Sequence, residues 1–523
     1  MRTRSVAHTQ SALSHSASTM GSRAAATWYR CLPALCSGTA LRVAPVLRPA
    51  SFASIPARRN LNVQTATEAV KLKSIDDLPG PSRSTSMYWL LVKGYAEKMH
   101  LLQVIQQEGR YPVRMEMPHW KEYRELRGQA YGLHVETGPE WYRIRSALNP
   151  KMLKLQEVSV YASTIQQVIG DLLQRIELLR TRSQDQATVL DVAAELYKFG
   201  FEGISSILFE TRLGCLQEEI PHETLRFIKA VNDMLTFADM VLLFPRWTRN
   251  ILPFWKRFVQ AWDDLYEVAQ MLIDRRMAEI EAQVSRDEPI EGMYLTNLLS
   301  SDKLTKAEVY ISVTELMLGG VDTTSNTLSW ALYHLARDSR AQDRLYSEVN
   351  SVCPDKREPT MDDLSRMPFL KAVIKETLRL YPVAPGNARL VSENEVILDN
   401  YWFPKKTQFH LCHYEACHDE SEFPNAEHFL PERWFRSDTP NSCSDRARPG
   451  FYQHNPYSFI PFGVGVRACV GKRVAEMEMH FALSRLMQHY EIQPEDGAPT
   501  VEAKTRTLLI PAKPINLRFL PRA

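Results

Sequence analysis

Phe462-Gly463-Val464-Gly465-Val466-Arg467-Ala468-Cys469-Val470-Gly471 places one cysteine at the end of a glycine-rich loop, immediately ahead of a helical stretch. Val470 to Gln488 contains no proline and repeats its apolar residues at helical spacing, so the positive end of a helix dipole lies beside Cys469 and lowers the pKa of its thiol. Gly465 and Gly471 let the backbone approach a bulky planar group with no Cβ in the way. Arg467 offers a fork of donors matched to a carboxylate. The stretch suits a thiolate held on a metal; an inert, buried cysteine is the alternative.

Outward from this loop the chain changes texture. From Leu78-Pro79-Gly80-Pro81, a stiff turn that opens the folded part, to about Asn350 the pattern is mainly helical. Beyond Tyr381, short alternating pieces such as Glu395-Val396-Ile397-Leu398 and Thr407-Gln408-Phe409 read as strands separated by Pro, Asn and Asp. Helices first and mixed structure afterwards predict an α+β domain, mainly α-helical, with a small β-rich part. Lys306 to Arg337 is free of proline and as a helix would run about 48 Å, enough to cross the domain as its central helix. Inside it Gly319-Gly320 breaks the local rule, since each glycine costs roughly 1 kcal/mol against alanine in a helix interior. Asp322 and Thr323 follow at once between the apolar runs Leu316-Met317-Leu318 and Leu328-Ser329-Trp330, so they face something polar indoors.

The 523 residues are 44% hydrophobic and 24% charged, a composition that supports a single large domain able to enclose a sizeable cofactor. Charge is unevenly placed. Residues 1–60 hold eight arginines, no lysine and no acid, leaving 55 basic against 61 acidic residues in the rest. That leader is rich in Ser and Ala and has no apolar run long enough to span a bilayer, so residues 1–60 read as a mitochondrial transit peptide and 61–523 as the folded domain. The eight cysteines, Cys31, Cys36, Cys215, Cys353, Cys412, Cys417, Cys443 and Cys469, form no CxxC pair and no zinc spacing. In a matrix protein they are not disulfide partners. No nucleic-acid partner is expected.

The pattern Phe-x-x-Gly-x-Arg-x-Cys-x-Gly resembles the haem-binding loop of the cytochrome P-450 monooxygenases. The resemblance implies haem b as cofactor, Cys469 as the axial ligand of its iron, Phe462 and Arg467 as haem contacts, and the cytochrome P-450 fold. Gly320-Val321-Asp322-Thr323-Thr324 is similar to the family's oxygen-activation motif, in which the acid and threonine support proton delivery. Glu376-Thr377-Leu378-Arg379 and Pro431-Glu432-Arg433-Trp434 resemble the pieces of a buried structural triad, Glu376, Arg379 and Arg433. Trp141-Tyr142-Arg143-Ile144-Arg145 puts Trp141 and Arg145 on one helix face and resembles a propionate-binding pair, with Arg389 as a further partner. Lys371 and Lys375, together with Lys472 and Arg473, form a basic face behind the cysteine, and the resemblance implies docking there of an adrenodoxin-type ferredoxin fed by an NADPH-dependent reductase. Phe244 to Arg257 mixes aromatics, aliphatics and cations in too short a run to span, which suits a monotopic contact with the matrix side of the mitochondrial inner membrane.

From Leu78 onward the chain is most similar to the mitochondrial subfamily that contains sterol 27-hydroxylase and vitamin D 1α-hydroxylase. The stretches that carry this are Gly109-Arg110-Tyr111-Pro112-Val113-Arg114, Leu252-Pro253-Phe254-Trp255-Lys256-Arg257, Val321-Asp322-Thr323-Thr324-Ser325-Asn326-Thr327-Leu328 and Leu411-Cys412-His413-Tyr414. The implied activity is hydroxylation of a sterol or secosteroid side chain with O2. Pro385-Gly386-Asn387 looks more like the vitamin D and retinoid members, which keeps those substrates open. At Gln103-Val104 roughly 35 residues of the family pattern are missing, enough for two strands and a turn of the N-terminal sheet. A truncated N-terminal sheet is therefore expected, and a non-catalytic or unstable haem-binding product is the alternative of another class.

Overall fold

A computed structural model describes residues 112–287, 294–391, 394–398, 401–435 and 455–522. The leader, the turn at Leu78 and the Gln103-Val104 junction lie outside the described residues, as do Cys31, Cys36 and Cys443.

Ten helices longer than two turns carry the domain: α1 Pro118–Arg127, α2 Gly138–Leu153, α3 Ala162–Arg182, α4 Val192–Phe209, α5 His222–Leu243, α6 Pro253–Ser285, α7 Lys306–Arg337, α8 Ser339–Val352, α9 Pro368–Leu380 and α10 Lys472–His489. The strands are short: β1 Val113–Arg114, β2 Thr188–Val189, β3 Gly386–Leu390, β4 Val396–Leu398, β5 Tyr401–Phe403, β6 Gln408–Cys412, β7 Tyr490–Pro494, β8 Ala503–Arg506, β9 Leu508–Pro511 and β10 Leu517–Pro521. They form antiparallel sheets ordered β1-β3-β6 and β2-β10-β7, with two hairpins, β4-β5 and β8-β9. The helix-rich, small-sheet architecture expected from the sequence is the one observed.

The central helix α7 starts where the sequence permits it. Thr305 and Glu308 form a capping box, each side chain bonding the other's backbone N–H. From Val309 onward the helix is buried on almost every side, against α4, α6, α9 and α10. The glycine pair does not break it. A Cβ on Gly320 would lie 2.8 Å from Cγ1 of Ile204, so α4 and α7 can approach only with glycine there, whereas at Gly319 the space is open. What the pair provides is a close crossing of two helices at Gly320 and an uncovered stretch of helix at Gly319.

Candidate active site

The cysteine loop is shaped by two left-handed residues, Gly463 at φ +68° and Gly465 at φ +70°. Side chains are strained in that region, which is why glycine stands at both. Between them and the helix, Cys469 N donates to Phe462 O at 2.8 Å and Ala468 N to Gly465 O at 3.0 Å, closing the loop upon itself. Gly471 has an ordinary φ, and a Cβ there would only touch Cys469 Sγ at 3.9 Å. Helix α10 begins directly afterwards. Burial raises the Cys469 thiol above its usual pKa, against the pull of the Gly471 N–H, the Arg145 and Arg114 guanidinium groups and the Lys472 N–H. The lowering expected from the helix end is therefore present but outweighed by desolvation.

Cys469 opens onto a cavity of about 430 Å³ between this loop and α7. Four arginines converge on it: Arg114 from β1, Arg145 from α2, Arg389 from β3 and Arg467 from the loop. Arg467 lies 3.4 Å over the Trp141 ring and donates from Nε to Pro112 O at 2.7 Å, while its Nη2 is buried with no hydrogen-bond partner. Arg145 donates to Ala468 O at 2.6 Å and to Asn149 Oδ1 at 2.5 Å; Arg114 donates to Arg467 O at 3.0 Å. The cations repel one another. Burial first, then Arg114, Arg389 and Arg145, brings the Arg467 pKa down to about 8, and burial followed by Arg114 brings Arg145 down to about 10. A buried cluster of this kind lacks negative charge, and a planar group bearing two carboxylates, with a metal facing Cys469, supplies it. The residues present fit haem.

Trp141, Arg145, Arg389, Phe462, Arg467 and Cys469, singled out from sequence, all line this one cavity. Arg114 was quoted only as part of a similar stretch. It stands directly opposite Arg389 in the β1-β3 pairing, so both project from one face, and that register is what sequence alone does not show.

Across the cavity, Thr323 lines the wall and donates from Oγ1 to Gly319 O at 2.7 Å. Asp322 is buried and turns elsewhere: its Oδ1 accepts from Arg506 at 2.6 Å, and Arg506 also bonds Asn232 on α5 and approaches Tyr197 on α4. Structure thus separates the two neighbours, one facing the cavity and the other a polar network. Glu478 on α10 was not singled out. It lines the cavity, accepts from Thr324 Oγ1 at 3.5 Å, and burial pushes its carboxyl pKa up to about 8.

Glu376, Arg379 and Arg433 come together as a buried ion cluster, with Arg379 Nη2 at 2.8 Å and Arg433 Nε at 2.9 Å from Glu376 Oε1. Lys371 and Lys375 on α9 and Lys472 and Arg473 on α10 share a face, with Glu476 paired to the latter two. Burial and then Lys371 lower the Lys375 pKa, as Lys472 also does, which records how close these cations lie. In the segment 244–257, Phe244 stacks on Phe254 and Arg249 on Trp255, while Trp247 and Ile251 are 71% and 72% exposed. Among the described residues no helix is long and apolar enough to cross a membrane.

Comparison with known proteins agrees with this geometry. The family model described as Cytochrome P450 matches residues 83–519. The mitochondrial sterol 26-hydroxylase of Rattus norvegicus is 40% identical, over 88% of this chain and 91% of the relative. Its Homo sapiens counterpart is 39% identical, over 86% and 90% respectively. The mitochondrial 25-hydroxyvitamin D-1 alpha hydroxylase of Homo sapiens is 38% identical, over 86% and 93%.

Proposed function

Because this chain belongs to the cytochrome P450 family and is a haem-dependent monooxygenase, we propose that it hydroxylates the side chain of a sterol or secosteroid. Haem, when bound, supplies the activation of dioxygen with two electrons delivered one at a time. In this reading Cys469 would hold its iron through the thiolate. Arg114, Arg145, Arg389 and Arg467 would pair its carboxylates, with Trp141 backing Arg467 and Phe462 beside it. Thr323 places a hydroxyl at the cavity wall for proton transfer, and Asp322 behind it anchors the helix through Arg506. Glu376, Arg379 and Arg433 lock the loop side of the fold.

The observation that carries the substrate assignment is the cavity's lining. Met115, Met117, Leu133, Ile204 and Leu316 give it an extended apolar lining, which suits a lipid and helps to exclude water. The names of the relatives, sterol 26-hydroxylase and 25-hydroxyvitamin D-1 alpha hydroxylase, point to the same class. Asn387, also on the wall, belongs to the Pro385-Gly386-Asn387 stretch and favours a vitamin D or retinoid substrate as the second reading.

Residues 1–60 are proposed as a mitochondrial transit peptide, with the domain 61–523 bound at the matrix face of the inner membrane through Phe244–Arg257. An adrenodoxin-type ferredoxin docks on Lys371, Lys375, Lys472 and Arg473. The test is product identification after the purified enzyme is incubated with NADPH, ferredoxin, its reductase and either cholesterol or vitamin D₃. A side-chain alcohol is the expected product; conversion of neither compound overturns the assignment.

A further inference from the structure

Helix α7 presents one carboxylate to the cavity, Glu315, two turns before Thr323. Its side chain is fully buried, yet only one oxygen is satisfied. Oε2 accepts from the His134 backbone N–H at 3.1 Å and lies 3.1 Å from that residue's Nδ1. Oε1 has no hydrogen-bond partner. The closest cation to Oε1 is Nη2 of Arg124, 3.7 Å away, on a side chain that is equally buried. Arg124 is itself held in place, 4.1 Å over the Trp262 ring and donating from Nη1 to Gln129 at 2.7 Å, but its Nη2 also lacks a hydrogen-bond partner. Gly132 seats the carboxylate: a Cβ there would lie 2.5 Å from Glu315 Cδ, so only glycine lets the group lie against that loop.

A separation of 3.7 Å is too long for a hydrogen bond, and short enough for one intervening oxygen to reach both atoms. That atom must donate to Oε1 and accept from Nη2. A hydroxyl does both, a carbonyl only accepts, and an ammonium group only donates. Burial works against the Glu315 charge, but His134 and Arg124 outweigh it and hold the carboxyl below the usual carboxylate range, so it stands as an acceptor. Buried polar atoms left without partners in a native protein call for an explanation, and here one of them belongs to a residue that lines the cavity.

We propose that Glu315, with Arg124 behind it, is the site that recognises a hydroxyl group of the substrate, about 12 Å along the helix from Thr323. This rests on the reading of the cavity as a lipid-substrate site and adds to it which residues read the lipid's hydroxyl, so that an alcohol is selected over its ketone or aldehyde.

The test is a binding titration, followed by the haem absorbance of the loaded enzyme, with two matched pairs: 5α-cholestan-3β-ol against 5α-cholestan-3-one, and retinol against retinal. The alcohol of each pair that binds is expected to bind roughly tenfold to a hundredfold more tightly. In Glu315→Gln, whose amide can donate to a carbonyl, the preference falls to about one or inverts. A wild-type ratio near one in every pair that binds overturns the proposal, as would occur if only water bridges the two groups, and this holds whether or not the variant takes up haem. If neither sterol perturbs the spectrum, the sterol assignment fails and retinol against retinal decides this one; binding by none of the four overturns both.

Discussion

Glu376 accepts from Arg379 twice, from Arg433 Nε, from the Trp434 indole and from the Leu430 N–H, all within 3.1 Å. Arg379 is as buried as Glu376, so removing the carboxylate strands a guanidinium in the interior. Breaking a buried pair from one side costs about 3–5 kcal/mol. Glu376→Gln is therefore expected to lose haem incorporation and to unfold at markedly lower urea, whereas a substitution of exposed Arg340 leaves both unchanged; normal haem content in Glu376→Gln would contradict the structural role. At Gly320 the cost is steric. Gly320→Ala puts a methyl 2.8 Å from Ile204 Cγ1, and overpacking of that kind costs about 1–3 kcal/mol. Pairing it with Ile204→Ala, which vacates the space, is expected to return part of the lost stability in a thermal melt.

Between elements, Asp322 and Arg506 tie the central helix to the β8-β9 hairpin, and Arg506 extends the tie to Asn232 on α5. At the hairpin tip Thr507 bonds Asp239, also on α5, through both its N–H and its hydroxyl. Three elements distant in sequence thus meet at one buried ion pair. Arg506→Gln is expected to destabilise by about 3–5 kcal/mol, while Asp322→Asn added to it restores much of the loss, because no charge is then left unpaired. Additive losses in the double variant would show that the pair is not coupled. This tie also marks where reading the sequence stops. Trp141 with Arg145 and Glu376 with Arg379 were legible because a helical turn brings i+3 and i+4 together. Arg506 lies beyond any local rule, and the Arg114–Arg389 pairing depends on strand register. Asp322 and Thr323, adjacent in sequence, point about 100° apart on a helix, and which of them meets the cavity is set by how the helix is rotated in the fold, with Asp322 drawn to Arg506. Glu478 carried no signal, since an acid on an amphipathic helix ordinarily looks like a solvated one.

On the scale of the whole molecule the two sides of the cysteine differ in kind. One side is the cavity, with its buried arginines and apolar wall; the other is the surface formed by α9 and α10, which carries Lys371, Lys375, Lys472 and Arg473, the last two paired with Glu476. On the proposed reading electrons enter from outside, and a cationic surface on the α9-α10 side of Cys469 would steer an acidic donor toward it. The steering is long-range and so screened by salt, the Debye length falling from about 10 Å at 0.1 M to about 3 Å at 1 M. Neutralising the pair on α9, Lys371→Gln with Lys375→Gln, is expected to raise the ferredoxin concentration needed for half-maximal reduction by about tenfold at low salt, with the difference shrinking as salt rises. The haem absorbance spectrum and the ligand titrations, which report the opposite side, are expected to stay as in the wild type. An equal loss at all salt concentrations would mean that the two lysines support the fold of α9, where Lys375 lies 5.5 Å over the Trp434 ring, and do not attract the donor.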